Sequence, residues 1–109
     1  MRIIYWGSSD FGIPCLEKLH QKHSVAAIIT SPDKPQGRHL KIISGPIKIW
    51  AEKHNIDILQ PKKISGNNKL LDMLKSLKPD FFVVISYGKI IPEDYLKYLF
   101  LHLLMFILL

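Results

Sequence analysis

The segment Arg2-Ile-Ile-Tyr-Trp-Gly-Ser-Ser-Asp-Phe-Gly-Ile-Pro-Cys-Leu-Glu-Lys-Leu-His20 decides the fold class of this chain. It begins with a short apolar run, Arg2–Trp6, in which most residues are of types favoured in β-strands. The polar turn that follows contains Ser9 and Asp10, either of which can cap a helix, and Pro14 suits the first helical turn. Apolar residues then recur with helical spacing. The segment therefore predicts a strand, a turn and a helix.

Strands and helices continue to alternate along the rest of the chain. Ser24–Thr30 is a continuous apolar run, as expected for a strand buried on both faces of a parallel sheet. The later predicted elements are a helix from Pro46 to about Lys53, a strand over Ile56–Leu59, an amphipathic helix over Asn67–Leu77 and a fourth strand over Asp80–Ser86. This order predicts an α/β fold, with a Rossmann-like parallel sheet, right-handed βαβ crossovers and helices on both faces.

Ligands of such sheets bind at the carboxyl ends of the strands. In this chain those ends are Gly7-Ser8, Thr30-Ser31, Gln60 and Ser86-Tyr87-Gly88. Gly7 and Gly12 fit neither G-x-G-x-x-G nor G-x-x-x-x-G-K-[ST], and Asp10 would repel a phosphate at the helix start. NAD and ATP are therefore not expected as ligands.

Length and composition indicate one globular domain at most. With 109 residues the chain is small for a complete doubly wound enzyme, so a missing portion is expected. A net charge of +6 suits an anionic partner. The single cysteine, Cys15, allows no intramolecular disulfide, and the five histidines show no metal-ligand spacing. Because the N-terminus has no signal or transit pattern, we expect a cytoplasmic protein. We also expect a monomer that binds no metal and no membrane.

The basic loop, Ser31–Lys48, is longer than a βαβ connection requires. Its prolines and glycines exclude regular structure from most of the segment; they are Pro32, Pro35, Gly37 and Gly45. The loop contains one acidic residue, Asp33, and four basic residues; the basic residues are Lys34, Arg38, Lys41 and Lys48. Such a loop offers an extended cationic surface to a polyanion such as a nucleic-acid backbone. The alternative is a solvated loop with incidental lysines.

Several segments of the chain form an ordered set of motifs. They are Gly7-x-x-Asp10-Phe11, Ser31-Pro-Asp-Lys-Pro-Gln-Gly-Arg38 with Pro46-Ile-Lys48, Leu59-Gln-Pro61, and Pro79-Asp80 leading into Ser86-Tyr87-Gly88-x-Ile90-x-Pro92. In order and spacing they resemble the methionyl-tRNA formyltransferase family. The resemblance covers residues 1 to about 97 and implies the N-terminal half of a formyltransferase domain. Ser8-Ser9 stands where the family usually has Thr-Pro, and Gly45 where a serine or proline is common.

The resemblance implies transfer of a formyl group from 10-formyltetrahydrofolate to the amino group of methionine on initiator tRNA. It assigns the basic loop to the acceptor end of the tRNA, with Arg38 as the first phosphate or acceptor-stem contact and Lys34 and Lys41 as supporting charges. It also places the pterin ring of the folate against the backbone of a strand-end turn, with two isoleucines at its face. The residues of that turn are Tyr87, Gly88, Lys89, Ile90 and Ile91.

The catalytic residues of that family, an Asn-x-His motif and a later aspartate, are absent from this chain. We therefore expect no formyl transfer by these 109 residues alone. Residues 98–109 form an apolar tail that departs from the family and is too short for a membrane helix. We expect the sheet edge after the fourth strand to lack a partner, and poor solubility to follow.

A shifted reading frame is our hypothesis for the origin of the tail. One set of synonymous codons for Leu101–Leu109, read from the third base, encodes Thr-Phe-Ile-Asn-Val-His-Pro-Ser. This product contains the missing Asn-x-His motif at about the family spacing. Because the codons are a choice, only the nucleotide sequence can test the hypothesis.

Two other functions remain open from the residues alone. The chain could belong to a folate-dependent formyltransferase that acts on a sugar nucleotide or another amine, which predicts no tRNA affinity. It could also be a small nucleic-acid-binding or membrane-associated α/β module that uses the basic loop and the apolar tail. Liposome flotation that depends on residues 98–109 would favour this last function.

Overall fold

The computed structural model describes residues 1–32, 34–36, 41–43, 45–85, 87–88, 91–95, 97 and 105–108, and for residues 34–36, 41–43 and 105–108 it describes the backbone. The elements in chain order are β1 (Arg2–Gly7), α1 (Ile13–Lys22), β2 (Ser24–Ile29), β3 (Lys34–Gln36), β4 (Lys41–Ile43), α2 (Pro46–Lys53), β5 (Ile58–Leu59), α3 (Asn68–Ser76), β6 (Phe81–Ile85) and β7 (Met105–Leu108). A 3-10 turn, Asp10–Gly12, leads into α1. The predicted alternation of strands and helices is confirmed.

The main sheet has the strand order β5-β2-β1-β6-β7. Each neighbouring pair in it is parallel. A parallel neighbour requires the chain to cross from one end of the sheet to the other, and α1, α2 and α3 lie in those connections. The predicted Rossmann-like α/β architecture is therefore confirmed. The third predicted strand is shorter than expected, because only Ile58 and Leu59 pair with β2.

Side chains of β1 alternate between two hydrophobic clusters, one on each face of the sheet. Ile4 and Trp6 belong to the cluster that contains the α3 residues Leu70 and Leu74. Ile3 and Tyr5 belong to the other cluster, which contains residues of α1 and α2 such as Leu16, Ile47 and Trp50. Helices consequently cover both faces of the sheet, as the continuous apolar strands predict.

The basic loop contains regular structure, contrary to the sequence-based expectation. β3 and β4 form an antiparallel pair with Lys34 opposite Ile43, Pro35 opposite Ile42 and Gln36 opposite Lys41. A proline is tolerated there because each strand of a two-stranded ribbon is an edge strand. The strands pair with each other and not with the main sheet. The loop is therefore a hairpin set apart from the sheet.

The edge of the sheet beside β6 has a partner, which also corrects the sequence-based expectation. β7 pairs with β6 in parallel register, from Phe81 opposite Met105 to Val84 opposite Leu108. An unpaired edge presents a row of free N–H and C=O groups, and a short apolar segment can satisfy them in an extended conformation. Part of the apolar tail thus becomes the fifth strand of the sheet.

Among the helices that the structure describes, none combines the length and the apolar character that crossing a bilayer would require.

Candidate functional site

Polar residues that follow three neighbouring strands meet at one edge of the sheet, called here the carboxyl edge. Ser8 follows β1, Ser31 lies just beyond β2, and Gln60 follows β5. The hydroxyl oxygens of Ser8 and Ser31 are 2.7 Å apart. The Gln60 amide Nε2 donates to the Ser31 carbonyl oxygen at 3.2 Å. Direct hydrogen bonds therefore bring together three of the four predicted strand ends, those after β1, β2 and β5.

Three hydroxyl groups, called here the hydroxyl cluster, lie at this edge: Ser8, Thr30 and Ser31. Thr30 Oγ1 donates to Ser8 Oγ at 3.3 Å, and the Ser31 backbone N–H donates to the same oxygen at 3.0 Å. Thr30 is buried, whereas Ser8 and Ser31 are half-buried. Sequence reasoning named these positions only as strand ends. The signal for the cluster was a serine directly after β1 and another just after β2, because adjacent parallel strands end side by side.

A cleft of about 270 Å³ lies between the end of β5 and α3. Its lining combines apolar and polar side chains, namely Leu59, Gln60, Pro61, Asn67, Lys69, Leu70 and Met73. Because Gln60 lines the cleft and also bonds Ser31, the cleft extends the carboxyl edge towards the β5 side of the sheet.

The three predicted RNA contacts belong to the hairpin of the basic loop. Lys34 begins β3 and Lys41 begins β4. Lys34 pairs with Ile43 and Lys41 with Gln36, so the register places the two lysines on one face of the hairpin. Arg38 lies outside the described residues. The assignment of these residues to RNA binding stays a prediction.

The segment predicted to bind folate follows β6. In the sheet β6 lies on one side of β1, and β2, which leads into the basic loop, lies on the other. Gly88 is exposed and has a φ of 84°, and a Cβ at this position would meet no atom of the described residues within 4 Å. Tyr87 and Ile91 are buried in the cluster that contains Trp6. Since these two side chains are occupied in the core, their backbone is the part that can face a ligand. Lys89 and Ile90 lie outside the described residues.

An aromatic group beneath this segment fixes its position. The Trp6 ring centroid is 5.2 Å from that of Phe82, 5.5 Å from that of Tyr87 and 5.7 Å from that of Tyr95. The last two contacts are edge-to-face, an arrangement that aromatic quadrupoles favour. Tyr95 Oη donates to the Ile64 carbonyl oxygen at 2.9 Å, which ties the chain after the turn to the loop before α3. The turn at Gly88 therefore rests on a packed support.

The turn after β1 is held close to the sheet by two glycines. A Cβ on Gly7 would lie 2.5 Å from the Ile85 carbonyl oxygen and 2.7 Å from the Tyr5 ring. A Cβ on Gly12 would overlap the Tyr5 hydroxyl oxygen. Tyr5 is fully buried, so its ring fills the space that side chains at these positions would need. The glycines therefore serve packing, and no phosphate-binding role is required to explain them.

Burial raises the pKa of three tyrosines in this part of the molecule. For Tyr5 burial is the main cause and Cys15 a second one, and together they raise the pKa from 10.0 to about 12. The pKa of Tyr87 is raised by burial and then by Tyr95, and that of Tyr95 by burial and then by Asp94. Apolar surroundings penalise the phenolate, so all three groups stay protonated at neutral pH.

Comparison with known proteins decides the family. The family model described as "Formyl transferase" matches residues 1–105. The chain belongs to the formyl transferase family. The matched range ends inside the segment 98–109, whose interpretation as a non-family tail stays a prediction.

Curated relatives of the chain are named methionyl-tRNA formyltransferases. The chain is 46% identical over 95 residues to the one from Sulfurihydrogenibium sp., covering 86% of this chain and 30% of that relative. It is 46% identical over 97 residues to the one from Dictyoglomus thermophilum, with 89% and 31% covered. The protein from Clostridium botulinum is 38% identical over 96 residues, with 88% and 31% covered. The chain thus spans about 30% of the length of these relatives.

Proposed function

We propose that this chain supplies the N-terminal part of a methionyl-tRNA formyltransferase, which transfers a formyl group from 10-formyltetrahydrofolate to methionine on initiator tRNA. One observation carries the proposal: a hairpin that contains two lysines follows Ser31 at the carboxyl edge of the sheet. The chain in which it occurs belongs to the formyl transferase family. The names of its relatives supply the substrate. A role in translation initiation predicts a cytoplasmic protein.

The hairpin supplies the positive charge of the proposed tRNA contact. Lys34 and Lys41 share a face of the hairpin, and Arg38 lies between them in the sequence. Cations that neutralise RNA phosphates release counterions, so binding weakens steeply as salt rises. Because contacts of this kind hold the backbone, they position the RNA without reading its sequence.

The folate is proposed to bind through main-chain groups of the turn after β6. No atom of the described residues lies within 4 Å of a Cβ placed on Gly88, and the neighbouring Tyr87 packs against Trp6, which also contacts Tyr95. A flat heterocycle with donors and acceptors at its edge suits such a surface. This turn and the basic loop lie on opposite sides of β1, so the formyl donor and the RNA would approach each other across the end of that strand.

The tRNA contact is tested by measuring the affinity of the 109-residue chain for initiator tRNA over a series of salt concentrations. Arg38→Ala is expected to weaken binding and to reduce the salt slope by about one. Lys22→Ala is the matched control, because Lys22 ends α1 just before β2 begins and therefore lies at the opposite edge of the sheet. If both variants lose affinity equally, the basic loop has no special role.

The folate contact is tested with Gly88→Asn and 10-formyltetrahydrofolate. Asparagine tolerates a positive φ better than other residues with a side chain, and its side chain would enter the open space above the turn. We expect calorimetry to show weaker folate binding, while the thermal midpoint changes little. Unchanged folate affinity would remove this turn from the proposed site.

The chain alone is expected not to catalyse formyl transfer, because it contains no Asn-x-His motif. The family chemistry needs a group that stabilises the tetrahedral oxyanion and a group that moves protons. Incubation of the purified chain with 10-formyltetrahydrofolate and Met-tRNA should therefore give no formylmethionyl-tRNA above background. Turnover above background would contradict the assignment of catalysis to residues outside this chain.

Folate binding without any tRNA affinity would instead favour a formyltransferase for another amine.

A further inference from the structure

We infer the direction of the hydrogen bonds in the hydroxyl cluster from the two donors that reach Ser8. Ser8 Oγ accepts from the Thr30 hydroxyl at 3.3 Å and from the Ser31 backbone N–H at 3.0 Å. A hydroxyl oxygen has two lone pairs, and these two donors occupy both. The Ser8 proton is therefore the one shared with Ser31 Oγ across the 2.7 Å contact. The chain of donors runs from Thr30 to Ser8 to Ser31.

The Ser31 hydroxyl stands at the end of this chain with its own proton unused. Ser8 donates to its oxygen, and no described residue accepts its proton. Successive hydroxyl bonds polarise one another, so the last O–H in such a chain is a stronger donor than an isolated serine. Ser31 is half-buried, which leaves this donor accessible at the carboxyl edge.

The position of Ser31 is fixed from two sides. Its N–H donates to Ser8 after β1, and its carbonyl oxygen accepts from Gln60 after β5 at 3.2 Å. Ser31 is also the residue from which the basic loop departs, and the hairpin begins at Lys34. The Ser31 hydroxyl therefore lies on the side of the carboxyl edge where the cations of the basic loop begin. Tyr87 follows β6, on the other side of β1.

We propose that the Ser31 hydroxyl donates a hydrogen bond to a phosphate oxygen of the bound RNA, and that Ser8 is the positioning residue that directs it. This inference rests on the proposed tRNA-binding function. A phosphate fits better than the folate ring, because the adjoining loop is cationic and a charged acceptor strengthens a hydroxyl donor. Serine hydroxyls are among the groups that contact phosphates in nucleic-acid complexes.

The test measures the affinity of the 109-residue chain and its variants for initiator tRNA at several salt concentrations. Ser31→Ala is expected to weaken binding about fivefold to tenfold. The salt slope should stay unchanged, because a neutral hydroxyl releases no counterion. Ser31→Thr, which keeps the hydroxyl, should retain the affinity. Ser24→Ala is the matched control, since Ser24 begins β2 and Ser31 lies just beyond its other end.

Ser8 is tested through its coupling to Ser31. Ser8→Ala should weaken binding about threefold or more, and Ser8→Thr should restore it. The double variant with Ser8→Ala and Ser31→Ala should bind no more weakly than Ser31→Ala alone, because Ser8 acts only through Ser31. A merely structural role of Ser8 would instead add to the loss, and would lower the thermal midpoint in proportion.

The outcomes separate this inference from the proposed function. Weaker binding by Arg38→Ala together with unchanged binding by Ser31→Ala would overturn the inference and leave the tRNA-binding function in place. A reduced salt slope in Ser31→Ala would also overturn it, since the loss would then come from a displaced cation. Absence of tRNA binding by the unaltered chain would overturn both.

Discussion

Tyr5 and Gly12 form one packing unit at the start of the candidate site. A Cβ on Gly12 would overlap the Tyr5 hydroxyl oxygen, so Gly12→Ala should lower the free energy of unfolding by about 1–3 kcal/mol. The Tyr5 hydroxyl has no hydrogen-bond partner in the described part of the chain, and Tyr5→Phe alone should therefore cost little. In the Tyr5→Phe background Gly12→Ala should cost much less. Urea unfolding of the two single variants and the double variant measures this coupling.

The control for this cycle is Gly45→Ala. A Cβ on Gly45 would meet no atom of the described residues within 4 Å, so this change creates no overlap and should alter the free energy of unfolding by less than about 1 kcal/mol. Additive losses in the Gly12→Ala and Tyr5→Phe pair would show that the overlap with the phenol is not the cause.

The raised tyrosine pKa values predict loss of stability in alkaline solution. The pKa of Tyr5 is about 12 in the folded chain and about 10 in the unfolded chain, so the folded chain holds more protons between these values. The stabilisation is complete below pH 10 and is lost as the pH rises towards 12, by at most about 1.4 kcal/mol per pH unit for one group. Urea unfolding between pH 9 and 11.5 should show a shallower decline for Tyr5→Phe. Equal slopes would contradict a buried, protonated Tyr5.

At the level of elements, the N-terminus of α3 depends on one side chain. Asn67 Oδ1 accepts from the Leu70 backbone N–H at 3.1 Å, and its Nδ2 donates to the Lys63 carbonyl oxygen at 2.9 Å. Asn67→Ala should lower the free energy of unfolding by about 1 kcal/mol, because a helix N–H loses its cap. Asn68→Ala is the matched control, since Asn68 is the exposed first residue of the helix. Equal losses in the two variants would exclude a capping role.

The elements of the sheet could be predicted because their signals are local. Continuous apolar runs and helical periodicity decide β1, β2, β6 and the three helices. The hairpin of the basic loop was missed, because Pro35 and Gly37 are breakers in isolation, whereas pairing between Lys34–Gln36 and Lys41–Ile43 is a tertiary property. β7 was missed for the same reason: its strand character depends on the free edge of β6.

The sequence predicts which strand ends form the candidate site, because these follow from the topology of the sheet. Strand ends could be named from the sequence, and Ser8, Ser31 and Gln60 do meet there. The direction of the hydroxyl bonds depends on atomic distances, which no pattern of residues contains. Likewise, Tyr87 and Ile91 were predicted as ligand contacts, and only the packing around Trp6 shows that their side chains lie in the core.

At the level of the whole molecule, β7 should protect β6 from solvent. β6 lies between β1 and β7, and deletion of residues 105–108 would turn it into an edge strand. Backbone N–H groups on its exposed side should then exchange with deuterium much faster, while those of β2 keep their protection. Hydrogen-exchange mass spectrometry of the two chains measures the difference. Unchanged exchange in β6 would mean that the β6–β7 pairing is not stable in solution.

The reading-frame hypothesis for residues 98–109 also stays a prediction. We expect the nucleotide sequence to contain, in another frame near the codons for Leu101–Leu109, an Asn-x-His motif followed by Ser-Leu-Leu-Pro. Sequencing through and beyond the last codon checks this directly. Absence of the motif from every frame would exclude a frame shift.

The two borders of the sheet differ in how readily another polypeptide could join them. The border at β5 has only two paired residues, which is too short to template further pairing. The border at β7 has four, in the sequence Met-Phe-Ile-Leu, with no proline or charge to discourage an incoming strand. Self-association of this chain should therefore proceed from one side only, and a lysine placed within β7 should suppress it without touching the binding surface.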